Sequence, residues 1–171
     1  AHYREKAFIL NARQIAKNII KGEDKRFIIM LGPCSIHEKN LALEYATLLK
    51  ELESKVSDTF FLMMRVFLEK PRTKFGWKGF VYDPKLDGSN GIELGLKTSR
   101  ELLLEIAKLH LPVVTEFLDP FIPTYYEDLV TWGVVGARTS ASQIHRQMAA
   151  QLDFPFGFKN ETDGMIDNAI Y

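Results

Sequence analysis

The sequence predicts an α/β protein built on a parallel sheet, and two observations carry that expectation. Five short apolar runs, at 28–31, 60–64, 112–114, 134–135 and 155–158, each lead into a polar or charged residue. Between them lie segments whose apolar residues recur at helical spacing, so strand and helix alternate along the chain. A continuous apolar run is the mark of a strand buried on both faces. Functional groups collected where parallel strands end mark a ligand-binding face. Two architectures satisfy the alternation: an open doubly wound sheet, or part of a (β/α)8 barrel. A full barrel takes about 250 residues. The 171 residues and five strands therefore read as the first five units of a TIM barrel cut short, forming one partial domain over 1–171. Periodicity by itself does not choose between the two.

The elements follow in order. Phe8, Ala12, Ile15, Ile19 and Ile20 predict an opening helix, with Gly22 as its stop. Arg26–Leu31 reads as the first strand. Leu41, Tyr45, Leu48, Leu49 and Leu52 form one stripe of a second helix. Strand two is Phe60–Phe67. Residues 70–91 form a long loop rich in Gly, Pro, Lys and aromatics, a length that within a compact domain points to function. Ser99 is expected to cap a third helix bearing Leu102, Leu103 and Ile106. Strand three is Val113–Phe117. A short helix is expected over Tyr125–Trp132, closed by Gly133, before strand four at Val134–Ala137. Ile144, Met148 and Leu152 share a helical face, Pro155–Phe158 is strand five, and a sixth helix is expected from Thr162 or Asp163.

Composition narrows the function. Apolar residues make up 46% and charged residues 26%, as in a soluble globular domain. Lys+Arg and Asp+Glu both number 22, so the chain lacks the basic excess of a nucleic-acid module. No apolar stretch is long enough to cross a bilayer and no signal peptide is visible. One cysteine excludes an internal disulfide framework. A reducing, cytoplasmic setting is the expectation, with no nucleic-acid or membrane partner.

The candidate chemistry sits at the strand ends. Arg65, Lys70, Arg72, Arg138 and Lys159 would converge on one mouth if their strands are neighbours. Such a cluster is costly unless an anion fills it, and Arg suits bidentate capture of carboxylate or phosphate. The alternative is that each cation snorkels or pairs with a helix acid. Pro71 fixes the backbone within Lys70-Pro71-Arg72-Thr73, so these residues read as a rigid phosphate clip or as a solvated basic turn. No GxxxxGK[ST] or GxGxxG pattern supports nucleotide binding. Cys34, in Gly32-Pro33-Cys34-Ser35, is a nucleophile, a soft metal ligand or a small buried hydrophobe. Glu116 either orients the cations or balances charge. His145, Arg146, Trp77 and Trp132 are assigned packing or surface roles.

These residues also carry a family resemblance. Gly32-Pro33-Cys34-Ser35-Ile36-His37, Met64-Arg65-Val66-Phe67, Glu69-Lys70-Pro71-Arg72-Thr73, Gly76-Trp77-Lys78-Gly79, Gly136-Ala137-Arg138-Thr139, Ser142-Gln143, His145-Arg146, Gly157-Phe158-Lys159-Asn160 and Thr162-Asp163-Gly164 occur in one order. Together they resemble the type I 3-deoxy-D-arabino-heptulosonate-7-phosphate (DAHP) synthases across nearly all of 8–171. The resemblance implies a (β/α)8 barrel that condenses phosphoenolpyruvate with erythrose 4-phosphate and releases phosphate, the first step of the shikimate pathway. It implies a divalent metal (manganese, iron, zinc or cobalt) with Cys34 as one ligand. Arg65, Lys70 and Lys159 correspond to residues around the phosphoenolpyruvate carboxylate and the reaction centre. Arg138 and the Ala137 backbone correspond to its phosphate site, with Glu116 nearby. Arg72 and Thr73 correspond to the erythrose 4-phosphate clip, which favours this sugar over the aldehyde of the related octulosonate synthases. A homo-oligomer and an aromatic amino acid inhibitor are also implied.

The sequence departs from the family pattern in places. Ala149-Ala150-Gln151-Leu152-Asp153, Glu161 and Thr124 stand where the family usually has other residues, some of them near its inhibitor pocket. The later strands that carry the remaining metal ligands and a further phosphate-site Arg are absent, and the usual N-terminal extension is missing or shortened. The chain alone is therefore expected to be inactive. The competing expectation is a non-catalytic half-barrel that binds phosphate ligands or pairs with a complementary chain.

Overall fold

The computed structural model describes residues 3–167. Helix α1 (Tyr3–Ile20) precedes strand β1 (Phe27–Leu31). Then follow α2 (Lys39–Val56), β2 (Phe60–Arg65), α3 (Ile92–Lys108), β3 (Val113–Phe117), α4 (Pro123–Tyr126), β4 (Trp132–Val135), α5 (Gln143–Gln151) and β5 (Phe156–Phe158). All pairings are parallel, and the strand order is β1-β2-β3-β4-β5. A doubly wound sheet reverses its order at a switch point. A sequential order carries every crossover to the same side, and this decides for the barrel wall.

The core divides accordingly. Leu62, Met64, Val66, Val113, Phe117 and Val135 pack outward against helix residues that include Ala42, Ala46, Leu49, Leu102, Leu103, Ile106 and Met148. Phe61, Met63, Phe67, Val114 and Val134 pack inward in a second cluster with Ala12 and Ala16 of α1. Alternation along a strand creates this split. Helix α1 crosses the amino-terminal ends of the strands. Arg13 donates to the Val130 and Glu127 carbonyls at 2.9 and 2.7 Å, Phe8 stacks on His110 at 5.1 Å, and Lys17 meets Asp153 at 2.8 Å. All these partners lie just before a strand begins.

Several sequence expectations hold. Gly22 ends α1 with the paired bonds Glu23 N to Asn18 O and Gly22 N to Ile19 O, the Schellman arrangement. The long irregular loop before α3 is present. Other expectations are corrected. The large residues of the α2 stripe, Leu41, Tyr45, Leu48 and Leu52, are exposed, and the buried line is Ala42, Ala46 and Leu49. Small side chains let the helix approach the sheet, and the leucines are turned outward. Helix α3 begins at Ile92, so Ser99 is a buried mid-helix residue and not its cap. The expected helix over Tyr125–Trp132 is one turn of α4 followed by a 3-10 turn at Glu127–Leu129, and Trp132 and Gly133 belong to β4. Strands β2 to β4 are deeply buried, whereas β1 and β5 are sheet edges with half-exposed residues. Residues 162–164 form a turn, and the continuation of the expected sixth helix lies outside the described residues.

Candidate functional site

Inward alternation continues to the carboxyl ends of the strands, where its chemistry changes. Arg65 follows Phe61 and Met63 on β2, Glu116 follows Val114 on β3, and Lys159 stands two residues beyond Gly157 of β5. The Arg65 guanidinium lies over the Phe67 ring at 4.1 Å, and the Lys159 ammonium lies 5.1 Å from the centre of the same ring. Lys159 Nζ donates to Glu116 Oε2 at 3.1 Å. The cations of β2 and β5 are thus brought together, with a carboxylate from β3 beside them.

Glu116 is buried, and its Oε1 has no hydrogen-bond partner. A Cβ on Gly136 would press on that oxygen, so any larger residue there would have to displace the Glu116 carboxylate. Arg65 Nε is likewise buried without a partner. Unpaired buried polar atoms of this kind are rare unless a ligand or water completes them. Arg138, in the turn closed by Thr139 N to Gly136 O, reaches across to Thr73 Oγ1 at 3.3 Å. Arg72 donates from Nε to the Trp77 carbonyl at 2.9 Å, which folds the clip back on its own loop.

Cys34 is exposed, at the end of the turn that follows β1. Lys70 Nζ donates to its sulfur at 2.7 Å, and Arg65 Nη2 reaches its carbonyl at 3.4 Å. The bond from Lys70, and then the charges of Lys70 and Arg65, hold the thiol below its ordinary pKa despite slight desolvation. A thiolate is a soft metal donor, so Cys34 suits one position on a divalent metal. Among the described residues no cluster of three His, Cys, Asp or Glu surrounds it, so further ligands must come from elsewhere.

Contacts join Cys34 to Lys70 and Arg65, set Arg65 and Lys159 on the Phe67 ring with Glu116 paired to Lys159, and separately join Arg138 to Thr73. Arg72 joins by its loop. The reading of His145 and Arg146 as packing residues is sharpened. His145 bridges Ser142 Oγ at 2.8 Å and the Leu118 carbonyl at 2.6 Å, and Arg146 donates to the Ser140 carbonyl at 2.9 Å. Both brace the loops behind the rim.

Sequence reasoning missed Glu69. Its carboxyl group is buried and accepts from the Leu118 and Asp119 amides at 3.1 and 3.0 Å and from the Tyr82 hydroxyl at 3.2 Å. Burial raises its pKa to about 7, against the opposing pull of those three bonds. The one available signal was an acid next to a basic run. It also missed Phe67 as the floor under the cations.

Comparison with known proteins agrees with this fold. Residues 7–171 match the model of the DAHP synthetase I family. The Tyr-sensitive phospho-2-dehydro-3-deoxyheptonate aldolase of Salmonella typhimurium is 51% identical over 166 residues, 97% of this chain and 47% of that protein. The Trp-sensitive enzyme of Escherichia coli K12 is 47% identical over 162 residues, 95% of this chain and 47% of that one. The solved structure of the phospho-2-dehydro-3-deoxyheptonate aldolase from Francisella tularensis superimposes with a TM-score of 0.95 at 46% identity, covering 98% of this chain and 49% of that one. The chain spans about half the length of the relatives it matches. With an ordered cationic rim on the first five strand–helix units of a TIM barrel, and a family match over nearly its whole length, the chain belongs to the DAHP synthetase I family.

Proposed function

We propose that this chain supplies the first half of an active centre that condenses phosphoenolpyruvate with erythrose 4-phosphate to DAHP and phosphate. The observation that carries the reading is the shared Phe67 ring. It brings Arg65 and Lys159 within reach of one anion while Glu116 holds Lys159 in place.

Arg65, Lys70 and Lys159 would receive the phosphoenolpyruvate carboxylate, and Arg138 with the Ala137 backbone would receive its phosphate. Arg72 and Thr73 would hold the phosphorylated aldehyde. Arg138 touches Thr73, so the two sites adjoin, and positioning of this kind contributes much of a bimolecular rate. C3 of phosphoenolpyruvate forms a bond to the aldehyde carbon, water adds at C2, and C–O cleavage of the resulting hemiketal releases phosphate. Lys70 stands at the junction of the two sites and is assigned the proton transfer that accompanies carbon–carbon bond formation. A divalent metal (manganese, iron, zinc or cobalt) held in part by Cys34 would supply polarisation of the aldehyde oxygen when bound. The cations stabilise charge as it develops.

The relatives named Tyr-sensitive and Trp-sensitive support an aromatic amino acid as effector. Thr124 and Gln151, among the departures noted above, line a cavity of about 250 Å³ between α4 and α5 together with Leu152. A cytoplasmic homo-oligomer is part of the same reading. No described helix is long and apolar enough to cross a membrane.

The isolated 171 residues are expected to bind these ligands without turning them over. A second reading, a half-barrel that pairs with a complementary chain, is favoured by the unpaired edges of β1 and β5 and by the exposed leucines of α2. The test is an amide-resolved NMR titration of the chain with phosphoenolpyruvate and then erythrose 4-phosphate, followed by an assay with added manganese. Shifts at Lys70, Ala137, Arg138 and Lys159 with the first ligand and at Arg72 and Thr73 with the second are expected, without product. Absence of both sets at millimolar ligand would overturn the site assignment. Sustained DAHP formation would overturn the inactivity.

A further inference from the structure

We infer that Glu69 is a positioning residue whose buried carboxyl group locks the β3–α4 turn to the loop carrying Lys70, Arg72 and Thr73. It rests on the proposed function only for the identity of the ligands. The geometry stands without it.

Glu69 lies one residue before Lys70 and is 1% exposed. A buried acid is costly unless its oxygens are used. Oε1 accepts the Leu118 amide, and Oε2 accepts the Asp119 amide and the Tyr82 hydroxyl. Tyr82 also reaches Asp119 Oδ2 at 3.4 Å. Leu118 is gripped from its other side, because His145 Nε2 lies 2.6 Å from its carbonyl. One side chain thus ties three segments together: the end of β2, the loop before α3, and the turn that follows Glu116.

The loop is pinned around the same point. Lys70 N donates to Lys78 O at 2.9 Å, and Val81 N donates to Leu68 O at 3.1 Å. Beyond those bonds the clip is held by single side-chain contacts, Lys70 to Cys34, Arg72 to the Trp77 carbonyl and Thr73 to Arg138, with Arg72 and Thr73 exposed. Glu69 touches no position assigned to substrate. Its effect must pass through Lys70 and the clip, which gives it a signature distinct from that of a core residue. Loss of the lock frees the 70–79 loop and leaves Arg138 and Lys159 anchored by β4 and β5.

The test uses the 171-residue chain with Glu69→Gln, which keeps the shape but turns an amide N–H toward one of the two backbone donors. Hydrogen exchange is expected to speed up about tenfold at the Lys70, Leu118 and Asp119 amides, the effect of losing one hydrogen bond. The Met64 and Val66 amides, paired to Pro112 and Val114, should keep their rates. Erythrose 4-phosphate should bind about tenfold more weakly through Arg72 and Thr73, while phosphoenolpyruvate, which keeps Arg65, Arg138 and Lys159 and loses only the fixed placement of Lys70, should weaken about threefold or less. Tyr82→Phe removes one bond of the lock and should give smaller changes of the same pattern, which keeps the test available if Glu69→Gln fails to fold. Unchanged exchange at Lys70, or equal weakening of both ligands, would overturn the inference. If the unsubstituted chain binds neither ligand, the proposed function falls, while the exchange data still decide the role of Glu69.

Discussion

The inward face of the sheet has two ends that obey one alternation and do opposite things. At the amino-terminal end Phe61, Met63, Val114 and Val134 are closed over by Ala12 and Ala16 of α1. At the carboxyl end the next inward positions on the strands are Arg65 and Glu116, joined by Lys159 just past β5. The first end is filled by side chains meeting side chains. The second leaves Arg65 Nε and Glu116 Oε1 buried without partners. The contrast shows how a barrel wall separates stability from function: the strands are continuous, and only what caps each end differs.

The largest way to break this comparison lies at the sealed end. Met63→Ala removes a fully buried side chain and should cost about 2–5 kcal/mol in denaturant unfolding. Phosphoenolpyruvate shifts at Ala137 and Lys159 should survive in the folded fraction.

A second prediction concerns pH. The folded pKa of Glu69, about 7, lies above the ordinary carboxyl value of 4.5, so folding favours its protonated form. Its contribution is complete below the unfolded value and is lost as pH rises through about 7. A shift of that size corresponds to a stability change on the order of 3 kcal/mol across this window. Comparing unfolding free energies of the original chain and Glu69→Gln between pH 4.5 and 7.5 should show a slope that the variant lacks.

At the rim, Gly136→Ala forces a methyl group against Glu116 Oε1. It should cost about 1–3 kcal/mol, the range for overpacking, and should abolish phosphoenolpyruvate shifts by displacing Glu116 from Lys159. Retained shifts would mean that the Glu116–Lys159 pair is not what fits the rim to the anion. The smallest effect is expected from Asp153→Ala, which removes the exposed pair with Lys17 at the sealed end. No measurable change in melting temperature should follow.

The strands were legible because buried parallel strands are short apolar runs, and the rim was legible because those runs end in cations. The first half of α3 was not. Gly91 and Gly95 look like loop residues, yet Gly95 lies in the helix because a Cβ there would fall 1.8 Å from the Val81 carbonyl oxygen. Close packing, which no local pattern records, overrode helix propensity. The α2 stripe misled for a related reason. Size marked the leucines as core, but proximity to the sheet favoured Ala42 and Ala46. Glu69 was illegible because its role depends on Leu118 and Asp119, about fifty positions away in the chain. Nothing beside it in sequence announces those partners.

The Phe67 ring has a consequence of its own. A ring attracts cations through its quadrupole but carries no net charge with which to neutralise them. Among the described residues no carboxylate pairs with Arg65. An acid in the ring's place would form a closed pair that each arriving phosphate or carboxylate would have to displace. With an aromatic floor, the Arg65 guanidinium keeps its positive charge in reserve, and at that cation an incoming anion meets no resident competitor, whereas at Lys159 it shares the ammonium with Glu116.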